Sequence, residues 1–125
     1  MNQQRILIVE NNIDKLSPLR NFLESKEFAV ISAGNGKKGF EIARGEQPDL
    51  IVLDVDMPEL DGWDLLRDLR ADLKTEVIPV VVLTAHIMPN DRQIVIAAGG
   101  NGYVFKPFKI AMLLNEIERC LGEMA

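Results

Sequence analysis

Asp49-Leu50-Ile51-Val52-Leu53-Asp54-Val55-Asp56-Met57-Pro58-Glu59-Leu60-Asp61-Gly62 runs an apolar segment straight into a carboxylate. The consecutive aliphatic residues Leu50 to Leu53 read as a strand buried on both faces, as a parallel sheet requires. That strand delivers Asp54 to its carboxyl end, the edge at which ligands bind in open α/β sheets. Pro58 and Asp61-Gly62 then break the chain into a loop before the next helix. A lone Asp after a strand is ordinarily a turn or cap residue, so the reading of Asp54 depends on what the other strands bring to the same edge.

Outward from this stretch the pattern recurs. Arg5 to Val9 is an aliphatic strand followed at once by Glu10-Asn11-Asn12. Leu16, Leu19, Phe22 and Leu23 recur at helical spacing and predict a helix from about Asp14 to Lys26. With Asp14 as N-cap, Pro18 falls inside that helix and loses a backbone bond; with Ser17 as N-cap it is a favourable first residue. Phe28 to Ser32 reads as a strand, and Gly34-Asn35-Gly36 as a turn into a helix near Lys37 to Arg44. Gly39 should weaken that helix by about 1 kcal/mol relative to Ala.

Beyond Gly62, a helix from about Trp63 to Arg70 turns Leu65, Leu66 and Leu69 inward and leaves Asp64, Arg67 and Asp68 in solvent, with Trp63 packed at its start. Pro79 to Thr84 is a fourth strand that ends in a hydroxyl, with Ala85 and His86 beyond it. His86 lies near enough to meet a ligand at that edge, although a solvated loop histidine is the plainer reading. A helix from about Asp91 to Ala98 stops at Gly99-Gly100. Gly102 to Phe105 is a fifth strand, Lys106-Pro107 follows it, and Ile110, Leu113, Leu114, Ile117 and Leu121 mark a closing amphipathic helix. Strand and helix alternate five times without a repeat or linker, which predicts the α/β class: a five-stranded parallel sheet with helices on both faces, one domain over residues 1–125.

Composition narrows the function. The 125 residues suit one domain, and the 47% hydrophobic and 26% charged shares are those of an ordinary globular protein. A net charge of −5 without a basic cluster argues against nucleic acid and anionic membrane surfaces as partners. The chain lacks an apolar run of the roughly 20 residues that span a bilayer, and its N-terminus lacks a signal-peptide pattern, so the expected location is cytoplasmic. Cys120 has no cysteine to pair with, and one His cannot complete a Cys/His zinc site. No Gly-x-Gly-x-x-Gly follows the first strand and no Gly-x-x-x-x-Gly-Lys-Ser/Thr occurs, which weakens a nucleotide-binding reading.

Each strand places chemistry at its carboxyl end: Glu10 and Asn11 after the first, Asp54 after the third, Thr84 after the fourth, Lys106 after the fifth. Two carboxylates and an amide are oxygen ligands for a hard cation such as Mg2+, which keeps several waters and leaves room for a phosphate oxygen. A lysine and a hydroxyl nearby suit the remaining oxygens of a phosphoryl group. Taken singly, Lys106 would be a surface lysine, Thr84 a strand end satisfied by the backbone, and Asp56 a solvated loop residue.

Leu53-Asp54-Val55-Asp56-Met57-Pro58-Glu59-Leu60-Asp61-Gly62, Thr84-Ala85 and Tyr103-Val104-Phe105-Lys106-Pro107 together resemble the receiver domain of two-component response regulators, in the right order and across the whole chain. The resemblance implies a flavodoxin-like (βα)5 fold with strand order 2-1-3-4-5. It implies Asp54 as phosphoacceptor, Lys106 as holder of a phosphoryl oxygen, Thr84 as switch hydroxyl, Tyr103 as switch aromatic and a cis Lys106-Pro107 bond. Glu10 and Asn11 fall on the family's acidic pair, so the implied Mg2+ site is Glu10, Asn11, Asp54 and Asp56, the last through its backbone carbonyl. Asn11 departs from the pattern, where an aspartate is usual. An amide keeps an oxygen ligand but removes a negative charge, and weaker Mg2+ binding is expected unless the Asp56 side chain compensates.

The resemblance also implies partners: a histidine kinase or histidine phosphotransfer protein upstream and a protein target downstream. The expected activity is that of a signalling switch, not an enzyme acting on other molecules. A phosphorylation-independent interaction module is the alternative that Asn11 keeps open. The end of the chain right after its last helix leads to the expectation of a stand-alone protein, with a fragment of a longer one as the alternative. The run Ile94-Val95-Ile96-Ala97-Ala98 is apolar nearly all round, and period-two alternation puts Tyr103 and Phe105 on one side of their strand. Ile94, Tyr103 and Phe105 are therefore expected to contribute to a partner or self-association surface, unless neighbouring helices bury them.

Overall fold

Strand runs buried on both faces need a layer of helix above and below, and the computed structural model has that arrangement. It describes residues 3–56, 62–85 and 91–123. The elements in chain order are β1 (Arg5–Val9), α1 (Ile13–Ser25), β2 (Ala29–Ala33), α2 (Gly36–Glu46), β3 (Leu50–Asp54), α3 (Gly62–Ala71), β4 (Val80–Thr84), α4 (Asp91–Ala97), β5 (Gly102–Phe105) and α5 (Ile110–Glu123). All strand pairs are parallel and the order is β2-β1-β3-β4-β5. The α/β class and the order 2-1-3-4-5 are as expected.

Successive strand residues feed opposite cores, because side chains alternate across a sheet. Leu7, Val9, Ile51, Leu53, Val80 and Val82 pack with Leu65, Leu66 and Leu69 of α3 and Val95 of α4. Ile6, Ile8, Leu50, Val52, Val81 and Leu83 pack on the other face with Leu16, Leu19 and Leu23 of α1 and Leu113 and Ile117 of α5. Cys120 is buried in this second cluster. Among the described residues no helix is long and apolar enough to cross a membrane.

The structure corrects several local expectations. Neither Asp14 nor Ser17 caps α1: Asn12 does, its side chain accepting the Asp14 N–H at 2.9 Å. Pro18 consequently sits inside the helix. The second strand starts at Ala29 rather than Phe28, and the fourth at Val80 rather than Pro79. The helix expected near Lys37 to Arg44 runs from Gly36 to Glu46, with Gly39 inside it. A Cβ at position 39 would meet Val9 Cγ2 at 3.0 Å, so the glycine lets α2 lie close against the sheet. Gly62 serves β3 in the same way, since a Cβ there would fall 2.6 Å from the Val55 Cα. Met57 to Asp61 and His86 lie outside the described residues, so the expected loop at Pro58 and the reading of His86 are not addressed structurally.

Candidate phosphoacceptor site

Parallel register brings the carboxyl ends of four strands to one edge. Glu10 follows β1 and extends its ladder, donating its N–H to Ala33 O at 3.0 Å. Asp54 ends β3 and pairs with Leu83, while Thr84 ends β4 and pairs with Phe105. The Lys106 N–H donates to Thr84 O at 2.9 Å. The Lys106-Pro107 peptide is cis. Glu10, Asp54 and Thr84 are polar yet only 4%, 3% and 3% exposed. Burial of that kind calls for close partners.

Asp54 has them. Its Oδ1 accepts from Lys106 Nζ at 2.7 Å and from the Asp56 N–H at 2.9 Å. Burial would raise the Asp54 carboxyl, but hydrogen bonds with Glu10, Lys106 and the Asp56 amide outweigh it and hold the group below its ordinary value. For Glu10 burial acts first, and the hydrogen bond and charge of Asp54 add to it, pushing the carboxyl from 4.5 up to about 8. Glu10 therefore carries the proton of the pair and Asp54 the charge. Glu10 Oε2 is buried and finds no hydrogen-bond donor among the described residues.

An anionic carboxylate beside an orphaned buried oxygen fits a divalent cation. Among the described residues no three His, Cys, Asp or Glu side chains form a metal-holding group. The oxygen donors at this edge, carboxyl groups, an amide and backbone carbonyls, are of the kind that a hard cation such as Mg2+ takes together with water. Asn11 is exposed at this edge. Asp56 is not the solvated loop residue of the plain reading. Its Oδ2 accepts the Ala85 N–H at 2.6 Å and lies 3.5 Å from Lys106 Nζ, and the side chain is 18% exposed.

Tyr103 and Phe105 share one face of β5, ring centroids 4.9 Å apart, and by alternation Thr84 lies on that same face of the sheet. Both rings are half-buried. They border an open groove of about 780 Å³ between α4, β5 and α5, with Ile96 and Met112 on its walls. Ile94 is 42% exposed and stands outside the lining of this groove. Ile96 and Met112, 55% and 52% exposed, are the residues that sequence reasoning passed over. Their signal was present: Val95 is buried, so both of its neighbours on α4 point away from the core, and Met112 is an apolar residue off the Leu113 and Ile117 stripe. Trp63 is half-buried against the α3 core, as expected.

Comparison with known proteins agrees with this architecture. A sequence model of the response regulator receiver domain matches residues 6–118. The polar-differentiation response regulator DivK of Brucella anthropi is 30% identical over 118 residues, which span 94% of this chain and 96% of that protein. The receiver domain of a Pseudomonas aeruginosa sensor histidine kinase, solved with a magnesium ion coordinated in its active-site cleft, superposes with a TM-score of 0.86 at 32% identity, covering 97% of this chain and 99% of that one. A two-component response regulator from Clostridium difficile superposes with a TM-score of 0.86 at 27% identity, covering 98% of both chains. With a five-stranded sheet in the order 2-1-3-4-5 and a family match over nearly its whole length, the chain belongs to the response regulator receiver domain family of two-component systems.

Proposed function

We propose that residues 1–125 form one receiver unit, a phosphoacceptor switch in a cytoplasmic two-component phosphorelay. The observation that carries this reading is the buried Asp54 carboxylate, met by the Lys106 ammonium at 2.7 Å beside the Glu10 Oε2, which has no hydrogen-bond partner among the described residues. In the proposed reaction an Asp54 oxygen attacks the phosphorus of a phosphohistidine on a histidine kinase or histidine phosphotransfer protein. An O–P bond forms as the P–N bond breaks, and the departing histidine nitrogen keeps the electron pair and takes up a proton. Lys106 moves its ammonium from Asp54 to a phosphoryl oxygen, and the Thr84 hydroxyl donates to another. Glu10, Asn11, Asp54 and the Asp56 carbonyl would hold Mg2+, which would supply positive charge to offset repulsion between the carboxylates and the phosphoryl oxygens. Water later hydrolyses the acyl phosphate slowly, so the chain acts on itself and is not an enzyme toward other substrates.

Output follows from the face that Thr84 shares with Tyr103. As Thr84 turns toward the phosphoryl group, Tyr103 takes the vacated space, shifting the population between two packings of the groove. Ile94, Tyr103 and Phe105, joined by Ile96 and Met112, form the proposed surface for a downstream protein. Incubation with Mg2+ and acetyl phosphate followed by intact-mass measurement tests the reading. One added phosphoryl group is expected, absent in Asp54→Asn. An unmodified wild type at saturating Mg2+ favours the second reading, a phosphorylation-independent interaction module, for which the missing carboxylate at Asn11 is the supporting observation.

A further inference from the structure

The Asp56 side chain makes a contact that neither the family motifs nor the phosphoacceptor reading uses. Its Oδ2 receives the backbone N–H of Ala85 at 2.6 Å, joining positions 29 residues apart, and stands 3.5 Å from Lys106 Nζ. Its own N–H is bound to Asp54 Oδ1 at 2.9 Å. Two donors, one backbone and one ammonium, thus converge on a single anionic oxygen within a turn of Asp54. An anion attached to Asp54 would meet the same two donors. A backbone N–H has a single hydrogen to donate, so Ala85 cannot serve both anions fully. Ala85 directly follows Thr84, and holding its N–H pins the strand end that carries the switch hydroxyl. The Asp56 backbone is tied to Asp54, so its carboxylate can leave by rotation of the side chain alone.

We infer that the Asp56 carboxylate is an internal occupant of the phosphoryl-binding donors, a positioning residue that holds the Thr84-Ala85 junction in the resting packing and must give way when Asp54 is modified. The inference rests on the phosphoacceptor reading of Asp54. Charge favours the exchange, since a phosphoryl group on Asp54 repels the Asp56 carboxylate at close range.

The test compares wild type with Asp56→Ala and Asp56→Asn, both as 15N-labelled protein. Loss of a charge-assisted hydrogen bond should move the Ala85 amide upfield and speed its hydrogen exchange about tenfold in Asp56→Ala. Beryllofluoride, a phosphoryl mimic, is then titrated at saturating Mg2+ and should bind Asp56→Ala several-fold more tightly than wild type. Asp56→Asn, which keeps an acceptor oxygen without the charge, should fall between. An Ala85 amide indifferent to the substitution overturns the inference, as does wild-type binding that Asp56→Ala leaves unchanged or weakens. If neither protein binds beryllofluoride although the Ala85 amide responds, the phosphoacceptor reading of Asp54 falls and the inference falls with it.

Discussion

At the amino edge of the sheet the Arg70 guanidinium donates to Gly99 O at 2.8 Å, to Glu76 O at 3.1 Å and to Asn101 Oδ1 at 2.9 Å, while at the carboxyl edge Glu10 Oε2 lies buried without a donor among the described residues. Asn101 Oδ1 also takes the Val80 N–H at 2.9 Å, and Thr75 Oγ1 closes Leu69 O at 2.6 Å. Burial lowers the hold of Arg70 on its proton, but a guanidinium remains charged. Each edge gathers polar side chains from several loops. The amino edge saturates them, so its chemistry is complete within the chain and its role is to fix where α3, β4 and β5 begin and end. The carboxyl edge leaves an oxygen orphaned and draws two carboxylates toward one lysine, an arrangement that a cation and a phosphoryl group would complete.

Breaking the saturated edge should have the largest effect. Arg70→Ala removes the donor from Gly99 O, Glu76 O and Asn101 Oδ1 at once, the first in a part-buried contact, and is expected to lower unfolding free energy by about 2 kcal/mol in urea titrations. Arg70→Lys should recover little of this, because a point ammonium cannot reproduce the planar fork. At the open edge, Asn11→Asp restores a carboxylate beside the cation position. Mg2+ affinity followed by Trp63 fluorescence should rise about tenfold, and an unchanged or weaker affinity would count against the charge argument.

Smaller still is the effect expected of Glu10→Gln. An amide is neutral without taking up a proton on folding, so the metal-free protein should gain about 1 kcal/mol of stability at pH 7, and Mg2+ binding should weaken. The same kind of substitution at the amino edge, Asn101→Asp, should bring no such gain. Last, Ile96→Glu should change stability by no more than about 0.5 kcal/mol because its side chain is exposed, and Phe105→Glu by about 1 kcal/mol because its half-buried ring lies against Tyr103. Pull-down with the downstream protein, or sedimentation of the chain alone, should nonetheless show lost association, and full retention in both variants would remove the proposed surface.

Much of the architecture was legible before any coordinate. The aliphatic runs of β1, β3 and β4 and the Leu65, Leu66, Leu69 spacing of α3 are local patterns, set by alternation and helical period, and they survive whatever packs on them. The carboxyl-edge placement of Glu10, Asp54, Thr84 and Lys106 follows from those strands once they are parallel. Helix ends were less legible: Asn12 and Asp14 are both able caps, and the choice lies in backbone geometry that sequence spacing leaves open.

What only the tertiary structure decided are the relations between positions far apart in the chain. Gly39 looks like a defect in a helix until Val9 is seen 3.0 Å from where its Cβ would be. Arg70 is only the end of a helix in the sequence, and the structure brings Gly99 and Asn101 beside it. Asp56 reads as a loop residue until Ala85 closes on its carboxylate, and the groove walls of Ile96 and Met112 exist only where α4 and α5 flank β5. Periodicity reports which face of an element is apolar, because that depends on neighbours a few residues away. Which atoms meet depends on how close the packed layers approach, and only the assembled sheet and helices set that distance.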